Sequence, residues 1–149
     1  MGTVMLIIST IVPWNFPFLT MINAVIPAVL SGNALLIKPA PQTPTPAERI
    51  QQSFAAAGLP DKVIQVLHLA QDDVLELVAD PRLDFVSFTG SVAGGRAIAE
   101  AAAKGKGFKG VALELGGKDP AYVREDADIA YTAEQLADGE VVSGYSLTK

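Results

Sequence analysis

The sequence predicts an α/β fold, a Rossmann-like parallel sheet with flanking helices. Short β-rich apolar runs alternate with helical segments along the 149 residues. The first run, Val4–Ile11, is apolar along its length, which is typical of a strand that is buried on both faces. Strands that alternate with helices at this spacing indicate βαβ units, and therefore a parallel sheet.

Six strands are predicted, each a short run of mainly aliphatic or β-branched residues. They are Val4–Ile11, Ala34–Ile37, Val63–Leu69, Asp84–Thr89, Val111–Leu115 and Ala121–Val123. Ligands of parallel sheets bind outside the carboxyl ends of the strands. Four motifs fall at such ends, which makes this edge of the sheet the predicted site: Pro13–Pro17, Lys38-Pro39, Thr89–Ser91 and Glu114-Leu115.

Five helices are predicted from their spacing and from the residues that begin and end them. They are Leu19–Leu30, Ala47–Ala57, a helix capped by Asp72 or Asp73 that ends at Ala79, a helix from Gly90-Ser91 to about Lys104, and Asp128–Asp138. Gly32 and Gly58 are predicted helix stops, and Pro27 is expected to kink or shorten the first helix. The four prolines of Pro39–Pro46 predict irregular structure.

Composition narrows the possible functions. The chain is half apolar and 18% charged, as in globular proteins, and its net charge of −5 argues against a nucleic-acid partner. It has no cysteine, which excludes disulfides, thiolate metal sites and a cysteine nucleophile within this sequence. The apolar runs near its start are interrupted by proline and asparagine and follow no basic segment. We therefore expect no membrane partner, no metal site and a cytoplasmic location.

Local patterns at the strand ends leave alternatives open. Thr89–Ser91 could present helix N–H groups to a phosphate, or could be an ordinary turn with Ser91 as the helix cap. Asn15 could donate to a developing oxyanion, or could only satisfy backbone groups in its turn. Lys38 could hold a ribose or a phosphate, or could be a solvated lysine. Glu114 could be a partly buried base or an exposed carboxylate.

The only histidine, His68, falls in a strand pattern with no carboxylate close to it in sequence. It is predicted to be structural.

Taken together, five segments resemble the aldehyde dehydrogenase superfamily in order and spacing. They are Pro13–Pro17, Gly32-Asn33, Lys38–Pro44, Phe88–Ser91 and Glu114–Pro120. The resemblance covers nearly the whole chain and implies oxidation of an aldehyde to a carboxylic acid with NAD or NADP. It also implies a small-molecule aldehyde partner and an oligomer in the full-length family.

The resemblance further implies roles for individual residues. Asn15 matches the oxyanion donor and Glu114 the base that activates the hydrolytic water. The residues that match the cofactor site are Ile11, Val12 and Trp14 in the cleft wall, Lys38 at the adenosine ribose, Gly90 and Ser91 beside the pyrophosphate, and Leu115 at the nicotinamide end.

Three departures from the family pattern qualify these implications, and the first is that the sequence begins at what would be the middle of the family's cofactor domain. Pro41 stands where many NAD-dependent members have a glutamate that binds the ribose hydroxyls, which leaves the choice between NAD and NADP open. The family's cysteine nucleophile is expected shortly after Gly139, but the sequence there contains none, and neither Ser143 nor Ser146 has a base to activate it. The chain therefore resembles a fragment, with a partial cofactor-binding domain over residues 1–139 and a divergent tail over residues 140–149.

These departures predict a chain that is catalytically inactive alone. The alternatives are a non-catalytic dinucleotide-binding module and an interaction or assembly fragment.

Overall fold

The computed structural model describes residues 5–105, 107–117 and 120–143 and shows a parallel sheet of five strands. The strands are β1 (Ile7–Ile11), β2 (Ala34–Lys38), β3 (Ile64–Val66), β4 (Phe85–Gly90) and β5 (Gly110–Leu115). Their order across the sheet is β3-β2-β1-β4-β5, and every neighbouring pair is parallel. The predicted Rossmann-like α/β class is confirmed.

Five helices accompany the strands in the described residues. They are α1 (Pro17–Leu30), α2 (Thr45–Ala56), α3 (Gln71–Ala79), α4 (Val92–Lys104) and α5 (Ile129–Ser143). The chain divides into two compact units, one up to Leu115 with the sheet and α1–α4, and one from Gly116 with α5. In the described part of the chain, no helix has the length and apolar character needed to cross a bilayer.

Each face of the sheet has its own apolar core. Alternate residues of β1 separate into these cores, with Ile11 in one and Val12, just past the strand end, in the other. The first core also holds residues of α3 and α4, namely Val74, Val78, Ile98, Ala101 and Ala102. The second holds residues of α1 and α2, namely Met21, Val25, Ala28 and Ala47. The continuous apolar character of the first run is thus explained by burial on both faces.

The chain reverses its direction across the sheet at β1. From β1 it crosses to β2 and β3 on one side, then returns to β4 and β5 on the other side. Ile11 is level with Lys38 of β2 and with Phe88 of β4. A parallel sheet with this reversal has a crevice at the carboxyl ends of the two strands where the order changes, here β1 and β4.

Gly32 and Gly58 end helices α1 and α2, as predicted. Both have a left-handed backbone, with φ of +74° and +91°. After α1, the N–H of Gly32 donates to Val29 O at 2.9 Å and that of Asn33 to Ala28 O at 3.0 Å. This is a Schellman motif, which requires a positive φ that glycine adopts without a Cβ penalty.

Two predictions about elements are wrong. Residues 121–123 are not in a strand, because this three-residue run, which follows Pro120, has no strand beside it in the described residues to accept its backbone hydrogen bonds. Asp72 and Asp73 do not cap α3, since the helix begins at Gln71 with Ala70 at its N-cap. Their carboxylates lie in the first turn, where the helix dipole stabilises negative charge.

Several predicted boundaries are shifted. Helix α1 begins at Pro17 and continues past Pro27 to Leu30 without being shortened there. Helix α2 begins inside the proline-rich segment, because a proline in the first turn loses no intrahelical hydrogen bond. Helix α5 begins one residue after Asp128, which caps it through a 2.8 Å bond from Tyr131 N, and runs past Asp138 to Ser143. Val4, the predicted start of the first strand, lies outside the described residues.

Charged groups fix the end of helix α3, one of them from Lys109, which directly precedes β5. The ammonium of Lys109 donates to Val78 O and, at 2.6 Å, to Asp80 O, which are carbonyls at the end of the helix. Arg82 donates to the Asp80 carboxylate through Nη2 at 2.6 Å and Nε at 2.9 Å. The side-chain hydrogen bond from Arg82, with a further bond from its backbone N–H, holds the pKa of Asp80 well below its usual range.

Helix α4 lies close to the end of β5 because Gly95 has no side chain. A Cβ on Gly95 would lie 2.7 Å from Leu115 Cδ1 and would overlap Cδ2 as well. The Leu115 side chain therefore occupies the space that any larger residue at position 95 would need.

Replacing Asp80 should change the pH dependence of stability. Because the folded-state pKa is lowered, the ionised carboxylate stabilises the fold above the unfolded pKa of about 3.9, and this stabilisation is lost as the pH falls below it. The difference in Tm between the parent and Asp80→Asn should be largest near neutral pH and should shrink towards about pH 2. Thermal melts across this range test this. Asp61→Asn removes an exposed carboxylate as a control, and an identical pH profile for it would contradict the role of Asp80.

Gly95→Ala should displace the Leu115 side chain. The new Cβ would meet the methyl end of a flexible, partly exposed side chain, so a rotamer change can relieve the overlap at a cost of about 0.5–1.5 kcal/mol, which the gain of about 1 kcal/mol in helix propensity offsets. Denaturant unfolding should therefore show a change of less than about 1 kcal/mol in the free energy of unfolding. In the Leu115→Ala background the overlap is gone, and Gly95→Ala should be more stabilising. An equal change in both backgrounds would show that the overlap does not contribute.

Candidate functional site

The predicted site residues gather at the carboxyl edge of the sheet. Ile11 ends β1 and Lys38 ends β2, and the two are paired in register. On the other side of the crevice, Glu114 pairs with Thr89 and Leu115 with Gly90. The fold thus brings segments that are far apart in sequence to one edge.

At this edge the site residues lie on both faces of the sheet, because successive residues of a strand point to opposite faces. Leu115 packs on Gly95 of α4, so it faces α3 and α4. Lys38 shares that face, since Leu36, two residues earlier, contacts the same core. Glu114 lies on the other face, as does Val12, which belongs to the core against α1 and α2. The predicted base is therefore on the opposite face from its neighbour Leu115.

The start of α4 provides donors for an anion. The Ser91 Oγ accepts from Gly94 N at 3.0 Å, and Ser91 O accepts from Gly95 N at 2.9 Å. Ser91 is thus the helix cap, which is one of the two alternatives that the sequence leaves open, and phosphate binding at this turn stays a prediction. The two intervening N–H groups, of Val92 and Ala93, have no acceptor among the described residues. Such donors at a helix start suit a phosphate, and they can be found in the sequence only once Ser91 is known to be the cap.

Lys38 is half-buried at the end of β2, and burial lowers the pKa of its ammonium. An ammonium with fewer water neighbours gains more from a hydroxyl or anion that takes their place. Lys38 is three strands away from β5, roughly 14 Å across the sheet at the usual strand spacing, and Leu115 lies two residues further along β5 than the residue level with Lys38. The start of α4 lies between them along the edge. An elongated ligand with a central phosphate group fits this arrangement.

The turn after β1 borders the crevice. Trp14 is 47% exposed, and its carbonyl has a long 3.5 Å contact from Thr43 Oγ1. Asn15 is half-buried. Ile11 and Val12 are 7% and 4% exposed, so their side chains lie within the two cores. These two residues can therefore contact a ligand only through their backbone atoms, at the floor of the crevice.

Glu114 is exposed, so of the two alternatives left open by the sequence the structure shows an exposed carboxylate rather than a partly buried one. Leu115 beside it is 36% exposed. Lys118 and Asp119, which complete the sequence motif, lie outside the described residues, as does Ser146.

The predicted strand position of His68 is wrong, whereas its structural role stays a prediction. The residue lies beyond the end of β3 and is exposed, and its Nε2 is 3.1 Å from Glu48 Oε1 in the first turn of α2. The fold brings together a pair that is separated by 20 positions in the chain, which the sequence alone did not reveal.

The second unit has a shallow depression of about 310 Å³. It is lined by Tyr122, Val123, Arg124, Asp126, Ala127 and Thr132. Its charged groups already pair, with Arg124 Nη2 2.8 Å from Asp126 Oδ2. Within the described ranges, no group of three histidine, aspartate or glutamate side chains is placed to hold a metal ion. The sheet edge therefore remains the candidate site.

Comparisons with known proteins agree with this geometry. Lactaldehyde dehydrogenase of Escherichia coli is 40% identical over 134 residues, which are 89% of this chain and 28% of that protein. Succinic semialdehyde dehydrogenase from Streptococcus pyogenes, solved with NADP+, superposes with a TM-score of 0.74 at 34% identity, over 89% of this chain and 28% of that one.

A betaine aldehyde dehydrogenase double mutant from Staphylococcus aureus, solved with NAD+, has a TM-score of 0.77 at 31% identity, over 89% of this chain and 27% of that one. The chain thus spans little more than a quarter of the length of these relatives. The sequence profile described as "Aldehyde dehydrogenase family" matches residues 5–144, and the chain belongs to this family.

Proposed function

We propose that this chain forms the cofactor-binding part of a site that oxidises an aldehyde to a carboxylic acid with NAD or NADP. The observation that carries the proposal is the arrangement of the carboxyl edge. Lys38, the start of α4 and Leu115 lie in that order along one face, with Glu114 on the other face. Family membership and the cofactors held by the solved relatives support it.

The residues along the edge fit a dinucleotide. Lys38 would bind the adenosine ribose, and the turn at Gly90 and Ser91, with the adjoining helix N–H groups, would bind the pyrophosphate. Ile11 and Val12 would border the cleft through their backbone atoms, Trp14 would form part of its wall, and Leu115 would contact the nicotinamide end. The bound nicotinamide supplies the hydride acceptor.

Asn15 and Glu114 would act on the substrate. The Asn15 side-chain amide would donate a hydrogen bond to the oxygen that becomes negative when the aldehyde carbonyl is attacked. The Glu114 carboxylate would accept a proton from the water that hydrolyses the acyl group. Its exposure on the face opposite Leu115 is compatible with a water reaching it.

The nucleophile is not among the residues of this sequence. The family's reaction begins with a thiol, and the sequence contains no cysteine. Ser143 ends α5 and would need a positioned base to attack a carbonyl. We therefore propose that the chain alone does not oxidise aldehydes, and that catalysis needs a thiol from outside this sequence.

The cofactor and substrate are defined only by class. Pro41 is exposed and has no side-chain acceptor for ribose hydroxyls, so the proposal covers both NAD and NADP. The partner is a small-molecule aldehyde. The division into a cofactor-binding part at residues 1–139 and a tail at residues 140–149, the cytoplasmic location and an oligomer in the full-length family stay predictions.

An interaction fragment is the second candidate, and the last strand of the sheet favours it. In the described residues β5 pairs on one side only, with β4. Leu113 and Leu115 are 38% and 36% exposed. An unpaired strand edge with apolar residues can add a strand from another chain. If the chain is such a fragment, it should change its oligomeric state with concentration and show no stabilisation by a dinucleotide.

Cofactor binding can be tested through Lys38. Titration with NAD and NADP at up to millimolar concentration should raise the Tm of the parent chain. Lys38→Met should weaken binding at least tenfold, because a lost charge-assisted hydrogen bond is worth about 1.5–3 kcal/mol. Lys62→Met is the matched control, since Lys62 precedes β3 and so lies at the opposite edge of the sheet. An equal effect of both variants, or no shift with either cofactor, would contradict the proposed site.

The absence of a nucleophile can be tested by activity. The chain, mixed with propionaldehyde and NAD or NADP, should form no reduced nicotinamide above a protein-free blank, as followed by near-ultraviolet absorbance. If turnover is seen and Glu114→Gln abolishes it, the chain contains a nucleophile that the sequence does not reveal, and the proposal of inactivity fails.

A further inference from the structure

Phe16 has an unusual backbone conformation next to the proposed oxyanion donor. Its φ and ψ are 46° and 44°, in the left-handed region, and it is the N-cap of α1. Among the described residues, Lys62 is the only other non-glycine residue with a positive φ. This conformation brings Cβ close to the following carbonyl oxygen, so a bulky residue adopts it only where its surroundings impose it.

The neighbouring sequence explains why Phe16 adopts neither the right-handed helical nor the extended conformation. Pro17 follows directly and is the first residue of α1, and a residue before proline is disfavoured in the right-handed helical region. An extended Phe16 would continue the direction of β1 away from the sheet. The left-handed conformation turns the chain within one residue, so that α1 can pack back on the sheet.

Hydrogen bonds fix the chain on both sides of Asn15. The carbonyl oxygen of Phe16 accepts from Thr20 N at 3.0 Å and from Thr20 Oγ1 at 3.1 Å. On the other side, the N–H of Val12 donates to Lys38 O at 3.0 Å. Asn15 therefore lies between an anchored strand end and an anchored helix start, separated from the helix by Phe16 alone.

Phe16 is also a poor residue for starting a helix. N-cap positions favour serine, threonine, aspartate and asparagine, whose side chains accept a hydrogen bond from the first turn. Phe16 makes no such bond, and its side chain is 47% exposed. Neither helix capping nor deep burial accounts for a phenylalanine in this conformation.

We propose that Phe16 is a positioning residue, whose left-handed backbone holds Asn15 in one orientation at the crevice. The inference rests on the proposed role of Asn15 as oxyanion donor. A preformed donor does not have to be reoriented while charge develops on the substrate oxygen. The restricted conformations of Phe16, set by Pro17 and by its own Cβ, would supply that preorganisation.

The test measures the mobility of Asn15 by NMR in the full chain, without cofactor or aldehyde. Three variants are compared with the parent: Phe16→Gly, Phe16→Asn and Lys62→Gly. Glycine removes the restriction, whereas asparagine removes the ring but accepts the left-handed region more readily than other residues with a Cβ. Lys62→Gly relieves the same kind of strain before β3, away from Asn15.

In the parent, Phe16→Asn and Lys62→Gly, the backbone order parameter of Asn15 should be about 0.85, the value of a rigid backbone. It should fall below about 0.6 in Phe16→Gly, and the Asn15 side-chain amide signals should move towards their random-coil positions. An unchanged Asn15 in Phe16→Gly, or an equal loosening in Phe16→Asn or Lys62→Gly, would overturn the proposal. Because no ligand is present, failure of cofactor binding would not affect the outcome.

Discussion

The parallel pairing of β1 with β2 on one side and β4 on the other is the constraint on which the structure depends. It places Ile11 level with both Lys38 and Phe88, so three strands that are distant in sequence end within two residues of one another. It also assigns Ile11 and Val12 to different cores. A slip of one residue would send each side chain of β1 into the opposite core, where the packing does not match it, so core packing fixes the register and the register fixes the site.

The start of α4 links the packing of the fold to the proposed cofactor site. Ser91 caps the helix, and at its tip the N–H groups of Val92 and Ala93 have no acceptor within the part of the chain that the structure describes. One turn further, Gly95 admits the side chain of Leu115 from β5. The same helix thus presents donors to a phosphate and sets the position of the strand that carries Glu114. The capping serine, Ser91, and the glycine that makes room for Leu115, Gly95, therefore lie within five positions of each other in the sequence.

Much of the fold follows from local sequence, and the failures have physical causes. Gly32 and Gly58 require no tertiary information to end their helices, since a left-handed backbone is a local property. The run at residues 121–123 has strand propensity, but propensity does not reveal whether a pairing strand exists. The Glu48–His68 contact depends on how α2 packs beside β3, and no local pattern contains it. For the site, the sequence predicted the edge but could not predict which face each residue occupies.

The alternation of side chains at the end of β5 bears on how the proposed reaction would be organised. Leu115 faces α4, on the side where Lys38 also lies, and Glu114 must therefore face the other way. A cofactor along the α4 face would contact Leu115 while the carboxylate remained accessible to water on the far side. Hydride transfer and hydrolysis would then use adjacent residues without competing for the same space. The proposed reaction also needs a thiol, and the sequence contains no cysteine, so cofactor binding and turnover should separate in this chain.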